Sequence, residues 1–204
     1  MRLLYADASP FARKVRAAAH ELGLQDRITL DFVKALPGAE PNRELGAANP
    51  LRKIPTLILD DGQPIYDSTV ICEYLDGLQP DISLIPGGIN ERATVMTEHA
   101  LANGLMDAAV GLRYETAVRP EEARWPSWIG DHWDRIDTGL DWFEANSGRL
   151  AEPINLAQIA LGCLMGYLDF RFADKGWRDN RPKIAAWGET MLARPSFTET
   201  VPAG

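Results

Sequence analysis

The chain has 204 residues, 46% hydrophobic and 25% charged, enough to bury a core in one large domain or two small ones. Its formal net charge of -8 at pH 7 argues against nucleic acid or anionic membrane as a partner, since both reward basic surface. Three scattered histidines and two distant cysteines offer no metal-ligand spacing, so no metal is expected.

Met1 to Ala6 reads as a buried first strand. Ser9-Pro10 is a helix start, with Ser at the N-cap and Pro at the first helical position. The helix runs from Pro10 to Leu22, gathering Phe11, Val15, Ala18, Ala19 and Leu22 on one face, and Gly23 ends it. Ile28 to Ala35 reads as a second strand with Ile28, Leu30 and Phe32 turned inward. Pro37 to Asn49 is a polar connection with a helical turn around Arg43 to Ala47. Ile54-Pro55 precedes Thr56 to Leu59, an apolar run of strand length. Asp60-Asp61-Gly62 is a tight-turn signal, and Gln63 to Tyr66 returns as a strand whose Pro64 suits a sheet edge. Asp67 and Ser68 stand before a helix from Thr69 to Leu78, where acceptors meet unpaired backbone N–H groups.

Gln79 to Gly88 holds two prolines and two glycines and marks a boundary. Beyond it no strand signal recurs. Helical patterns run over Ile89 to Val118, with a kink expected near Gly104 or Gly111, and over Glu121 to Asn146. Two more cover Ile154 to Phe172, the most apolar and so the central one, and Pro182 to Leu192. The expected organisation is a mixed α/β unit over 1–78, a linker over 79–88 and an all-helical unit over 89–204. No secretory leader pattern opens the chain and no apolar run reaches membrane-spanning length. A cytoplasmic protein is expected, with Cys72 and Cys163 as buried, reduced thiols.

Four stretches, in this order and spacing, carry a family resemblance: Ser9-Pro10-Phe11-Ala12-Arg13-Lys14-Val15, Asn49 to Leu57, Tyr66-Asp67-Ser68, and Asn155 to Gly162. Together they resemble the cytosolic glutathione S-transferase superfamily, and the first looks most like bacterial members with Ser or Cys at the first-helix N-terminus. The resemblance implies a thioredoxin-like N-terminal domain, an all-α C-terminal domain, and a homodimer. The chain departs from the family pattern in two ways. Asn155 and Gln158 replace a Ser/Thr and Asp box at a helix start, but Asn caps well, Gln can return a bond, and Ile154 with Ile159 can staple the entry. Asp67 stands where many relatives carry Glu or Gln.

The implied roles follow residue by residue. Ser9 would stabilise the thiolate of glutathione, whose thiol resembles a free cysteine of pKa about 8.5; the plain alternative is a routine N-cap. If Ser9 to Ala12 is the counterpart of a thioredoxin-type Cys-x-x-Cys, both thiols are absent and disulfide exchange through an enzyme cysteine is unavailable. A cis Ile54-Pro55 bond would let the Ile54 main chain pair with glutathione like an added strand, against the alternative of a trans proline in a loop. Lys53 would meet the glycyl carboxylate, or is a solvated lysine. Asp67 would take the γ-glutamyl ammonium and Ser68 its carboxylate, or both simply cap the helix. Phe11 would flank the thiol or belong to the core, and Lys34 is too uncommitted to assign. Tyr114 and Trp177 are candidate contacts for a second substrate, while the other tryptophans read as packing.

The implied activity is attack of glutathione, as co-substrate, on a small, largely apolar electrophile, in the service of detoxification. The alternatives are a glutathione-dependent isomerase or dehalogenase, and a non-catalytic ligand-binding protein of the same fold.

Overall fold

The computed structural model describes residues 1–151 and 153–204. They fall into two compact units, Met1–Ile89 with Pro195–Gly204, and Asn90–Arg194.

The first unit is built on a four-stranded mixed sheet. Its elements are β1 (Arg2–Tyr5), α1 (Pro10–Glu21), β2 (Thr29–Phe32), α2 (Arg43–Ala48), β3 (Thr56–Ile58), β4 (Pro64–Ile65) and α3 (Ser68–Asp76). The strand order is β2-β1-β3-β4, with β1 parallel to β2 and antiparallel to β3. Leu3 and Leu4 of β1 are both fully buried, so the central strand has a packed layer on each side. One layer is α1 packed with α3, through buried Val15, Ala18, Ile71 and Leu75. A second cluster joins Leu4, Val33 and Leu45, with Ile54 and Ile58 packed against it.

The second strand departs from expectation. Ile28 is buried, but Leu30 is 42% and Phe32 63% exposed, so the inward alternation fails there. β2 is an edge strand with a partner on one side only, and Phe32 meets Tyr5 edge-on at 6.3 Å.

The second unit comprises α4 (Ile89–Arg113), α5 (Pro126–Ala145), α6 (Leu156–Arg171) and α7 (Pro182–Leu192). α6 is buried all round from Leu156 to Leu168, as its unbroken apolar run demands. Its start is a reciprocal capping box: Asn155 accepts from the Gln158 N–H at 3.1 Å and Gln158 accepts from the Asn155 N–H at 3.3 Å. α4 is α-helical without a break through both glycines to Arg113 and then opens into one π turn over Tyr114–Val118. Gly111 instead permits close approach, because a Cβ there would lie 3.0 Å from the Trp128 ring. Glu115 fastens the turn, accepting from the Trp125 N–H at 2.8 Å and from Arg119 at 2.6 Å. Arg181 ties the start of α7 to Asp141 and Asp137 on α5.

The chain end differs from the expected layout. α8 (Pro195–Thr198) packs on α1, so the last ten residues join the first unit instead of the helical one. Arg13 donates to the Phe197 carbonyl at 3.1 Å and Ser196 donates to Glu21 at 2.5 Å. These partners of α1 lie far off in sequence, so local pattern could not announce them.

Two consequences are measurable. Asn155→Ala removes half of the capping box and should cost about 1 kcal/mol of stability in urea unfolding. Glu115 is held below its usual pKa, chiefly by the Trp125 N–H and, against the opposing cost of burial, by Arg119. A lowered folded-state pKa contributes stability above the unfolded value that is lost as pH falls through the folded one. The thermal midpoint should therefore fall more steeply below pH 4.5 in the wild type than in Glu115→Gln.

Candidate functional site

Strand register brings three loop ends together. Leu4 near the end of β1 pairs with Thr56 at the start of β3, and Leu57 pairs with Ile65 at the end of β4. The exit of β1, the entry of β3 and the exit of β4 therefore share one end of the sheet on adjacent strands. Ser9 and Phe11 follow the first, Lys53, Ile54 and Pro55 precede the second, and Asp67 and Ser68 follow the third. Strands lie about 4.8 Å apart, so the three ends span about 10 Å. An extended tripeptide has much the same reach, about 3.4 Å per residue.

Ile54 is held by its side chain and open at its backbone. The side chain packs on the Leu4, Val33 and Leu45 cluster. The Ile54-Pro55 bond is cis, as is Tyr66-Asp67. Among the described residues neither the N–H nor the C=O of Ile54 has a hydrogen-bond partner. An unpaired main-chain donor and acceptor at the entry of a strand is a place where an extended peptide can add itself.

A buried polar network that the sequence did not flag braces this segment. Asn49, 1% exposed, donates to the Lys53 carbonyl and to the Thr56 hydroxyl, each at 3.0 Å, and accepts from the Leu51 N–H at 2.9 Å. Thr56 donates to the same Lys53 carbonyl at 2.9 Å. Asn49-Pro50 at the head of a Pro-containing loop is the signal that could have exposed it.

Ser9 is the N-cap of α1. Its Oγ accepts from the Ala12 N–H at 3.2 Å, and its own hydroxyl proton has no acceptor among the described residues. Pro10 has no N–H, and the Phe11 N–H has no partner among the described residues. The helix start thus presents one hydroxyl donor and one amide donor, with the positive end of the helix dipole behind them.

Asp67 and Ser68 open α3. The Asp67 carboxylate accepts from the Thr69 N–H at 2.9 Å and is otherwise exposed, leaving oxygen lone pairs to spare. Ser68 is 2% exposed, and its hydroxyl has no partner among the described residues. A carboxylate beside a hydroxyl at a helix start can hold an ammonium and a carboxylate on one carbon.

Lys53 is exposed and unpaired among the described residues, as the solvated alternative also requires, and Phe11 is half-buried. Lys34 is exposed just past β2, on the far side of β1 from β3 and β4. In the second unit, Tyr114 is half-buried, and burial raises its pKa. Trp177 is only 4% exposed, donates to Asp169 at 2.7 Å and stacks with Arg178, the pattern of packing and not of an open contact.

The sequence matches the family models for the glutathione S-transferase N-terminal domain over residues 8–78 and the C-terminal domain over residues 117–187. It is 34% identical to the uncharacterized GST-like protein YibF of Escherichia coli, covering 99% of this chain and 98% of that protein. A glutathione transferase family member from Pseudomonas fluorescens Pf-5, solved with bound glutathione, superposes with a TM-score of 0.96 at 41% identity over 100% of this chain and 99% of that one. A second structure of a Pseudomonas family member, with bound S-(propanoic acid)-glutathione, gives 0.91 at 40% identity, over the whole of both chains. With both family models matched and a relative 34% identical over nearly the whole of both chains, the chain, with its mixed four-stranded sheet followed by a helical unit, belongs to the glutathione S-transferase family.

Proposed function

We propose that the protein is a glutathione transferase: it lowers the pKa of the glutathione thiol and directs the thiolate at a small, largely apolar electrophile. The observation that carries this reading is the unpaired main chain of Ile54, in register with Ser9 on one side and Asp67-Ser68 on the other. The cysteinyl unit of glutathione pairs with Ile54 as a short added strand. Its α-amino and α-carboxylate groups at the γ-glutamyl end meet Asp67 and Ser68, and its glycyl carboxylate meets Lys53. Bound glutathione in the similar Pseudomonas structure supports the ligand.

The chemistry is a nucleophilic displacement or addition. Reduced glutathione gives up its S–H proton to solvent. The Ser9 hydroxyl donates to the resulting thiolate, and the Phe11 N–H and helix dipole add to the stabilisation. Sulfur then forms a bond to the electrophilic carbon, whose leaving group departs with its electron pair or whose π bond takes up a proton. The enzyme contributes no thiol of its own, because Ser9 and Ala12 cannot exchange disulfides. On this reading the protein works as a homodimer in detoxification in the cytoplasm.

Ser9→Ala is the direct test, run against a panel of aryl halides and unsaturated carbonyls. Loss of one aligned donor should lower kcat/KM by about 100-fold or more, while the glutathione Kd from calorimetry changes by less than about threefold. Equal and negligible turnover in both proteins, with intact glutathione binding, would favour a binding protein over an enzyme.

A further inference from the structure

Five arginines of the helical unit hold carboxylates, and Arg124 donates to the Arg119 carbonyl. Arg119, Arg135 and Arg149 pair with Glu115, Asp131 and Glu98, and Arg178 and Arg181 pair with Asp169 and with Asp137 and Asp141. Arg113 and Arg171 have no carboxylate partner among the described residues. In a chain of net charge -8, two interacting arginines without an acid are unexpected.

They are also close enough to repel. Burial is the main influence disfavouring the charged form of Arg171, and the positive charge of Arg113 adds to it, opposed only by Tyr167. Arg113 ends α4; Tyr167 and Arg171 lie one turn apart on α6 and so share a face. The Nε of Arg171 is buried without a hydrogen-bond partner, although a guanidinium offers its donors in a planar fork. Its carbon sits 3.8 Å from the centre of the Phe170 ring, which fixes the plane of the fork.

The surroundings are aromatic. Tyr167 is 4% exposed and lies edge-on to Phe172 at 6.4 Å, and Phe172 in turn meets Trp133 at 5.1 Å. Burial pushes the Tyr167 hydroxyl up to about 12 and raises that of Tyr114, so both remain protonated donors at neutral pH. Arg171 lies against a ring, Arg113 and two hydroxyl donors lie near it, and among the described residues neither arginine pairs with an anion.

We propose that Arg113 and Arg171, with Tyr114 and Tyr167, bind the carboxylate of a small organic acid whose apolar body lies on the neighbouring rings. A carboxylate accepts two parallel N–H bonds from the Arg171 fork and neutralises the repulsion with Arg113. The aromatic lining selects a carbon skeleton over an inorganic anion. Its use deepens the transferase reading, on which it rests, by giving the second substrate an acidic handle; the binding itself is measured without glutathione.

The test titrates the full-length protein with 3-phenylpropanoate and with its uncharged counterpart 3-phenylpropanamide, by calorimetry, in the wild type, Arg171→Gln and Arg113→Gln. The acid should bind at least about tenfold more tightly than the amide in the wild type, and each substitution should remove most of that preference. Arg113→Gln keeps the test alive if Arg171→Gln fails to fold, because the buried, unpartnered Nε belongs to Arg171 and not to Arg113. Equal affinity for acid and amide in the wild type overturns the proposal, as does a preference that survives both substitutions, or displacement of the acid by equimolar inorganic phosphate. A parallel glutathione titration keeps the two readings apart: absent glutathione binding would sink the transferase reading while the acid-over-amide preference is still read directly.

Discussion

Antiparallel pairing of β3 with β1 on one side and β4 on the other is the constraint on which the candidate site depends. It brings into line three chain segments that are far apart in sequence, near residues 9, 54 and 67. Each segment alone is ordinary: a capped helix, a proline loop, a second capped helix. In register they become a row of donors and acceptors about the length of a tripeptide. A slip of one residue in β3 would turn Leu57 from one face of the sheet to the other and carry Ile54 out of the row.

The row is held from behind. Asn49 and Thr56 saturate the Lys53 carbonyl, and the Ile54 side chain is anchored in an apolar cluster. The backbone of residue 54 is therefore left open by a segment fixed on both sides. That opening leaves a donor and an acceptor free to pair with an extended peptide. The two helix starts share that economy, since each caps itself with one side-chain oxygen and keeps further groups unspent.

Much of this was legible in the residues alone. Ser9-Pro10, Asp60-Asp61-Gly62 and the Asn155-Gln158 pair are local chemistry, and each produced the cap or turn its residue types favour. α7 was readable to the residue because Pro182 starts it and its apolar spacing is regular. The misses are all non-local. Leu30 and Phe32 alternate like core residues, but nothing in β2 says that the strand will be an edge. Gly111 resembles a helix breaker until Trp128 is seen to lie against it. The return of the chain end onto α1 depends on Arg13 and Glu21, far upstream. In the site, Asn49 was read as a loop residue and Trp177 as a substrate contact; burial and partners make the first a brace and the second packing. The uncompensated Arg113 and Arg171 could be recognised only once their charges were seen to act on each other.

The most direct measurement is the backbone amide spectrum of the protein during titration with reduced glutathione. Pairing of the cysteinyl unit with the main chain of residue 54 predicts a saturable shift of the Ile54 N–H signal, together with those of Phe11 and Ser68. If these three amides stay unmoved at millimolar glutathione, the ligand does not lie along this row, and the account of the site is wrong.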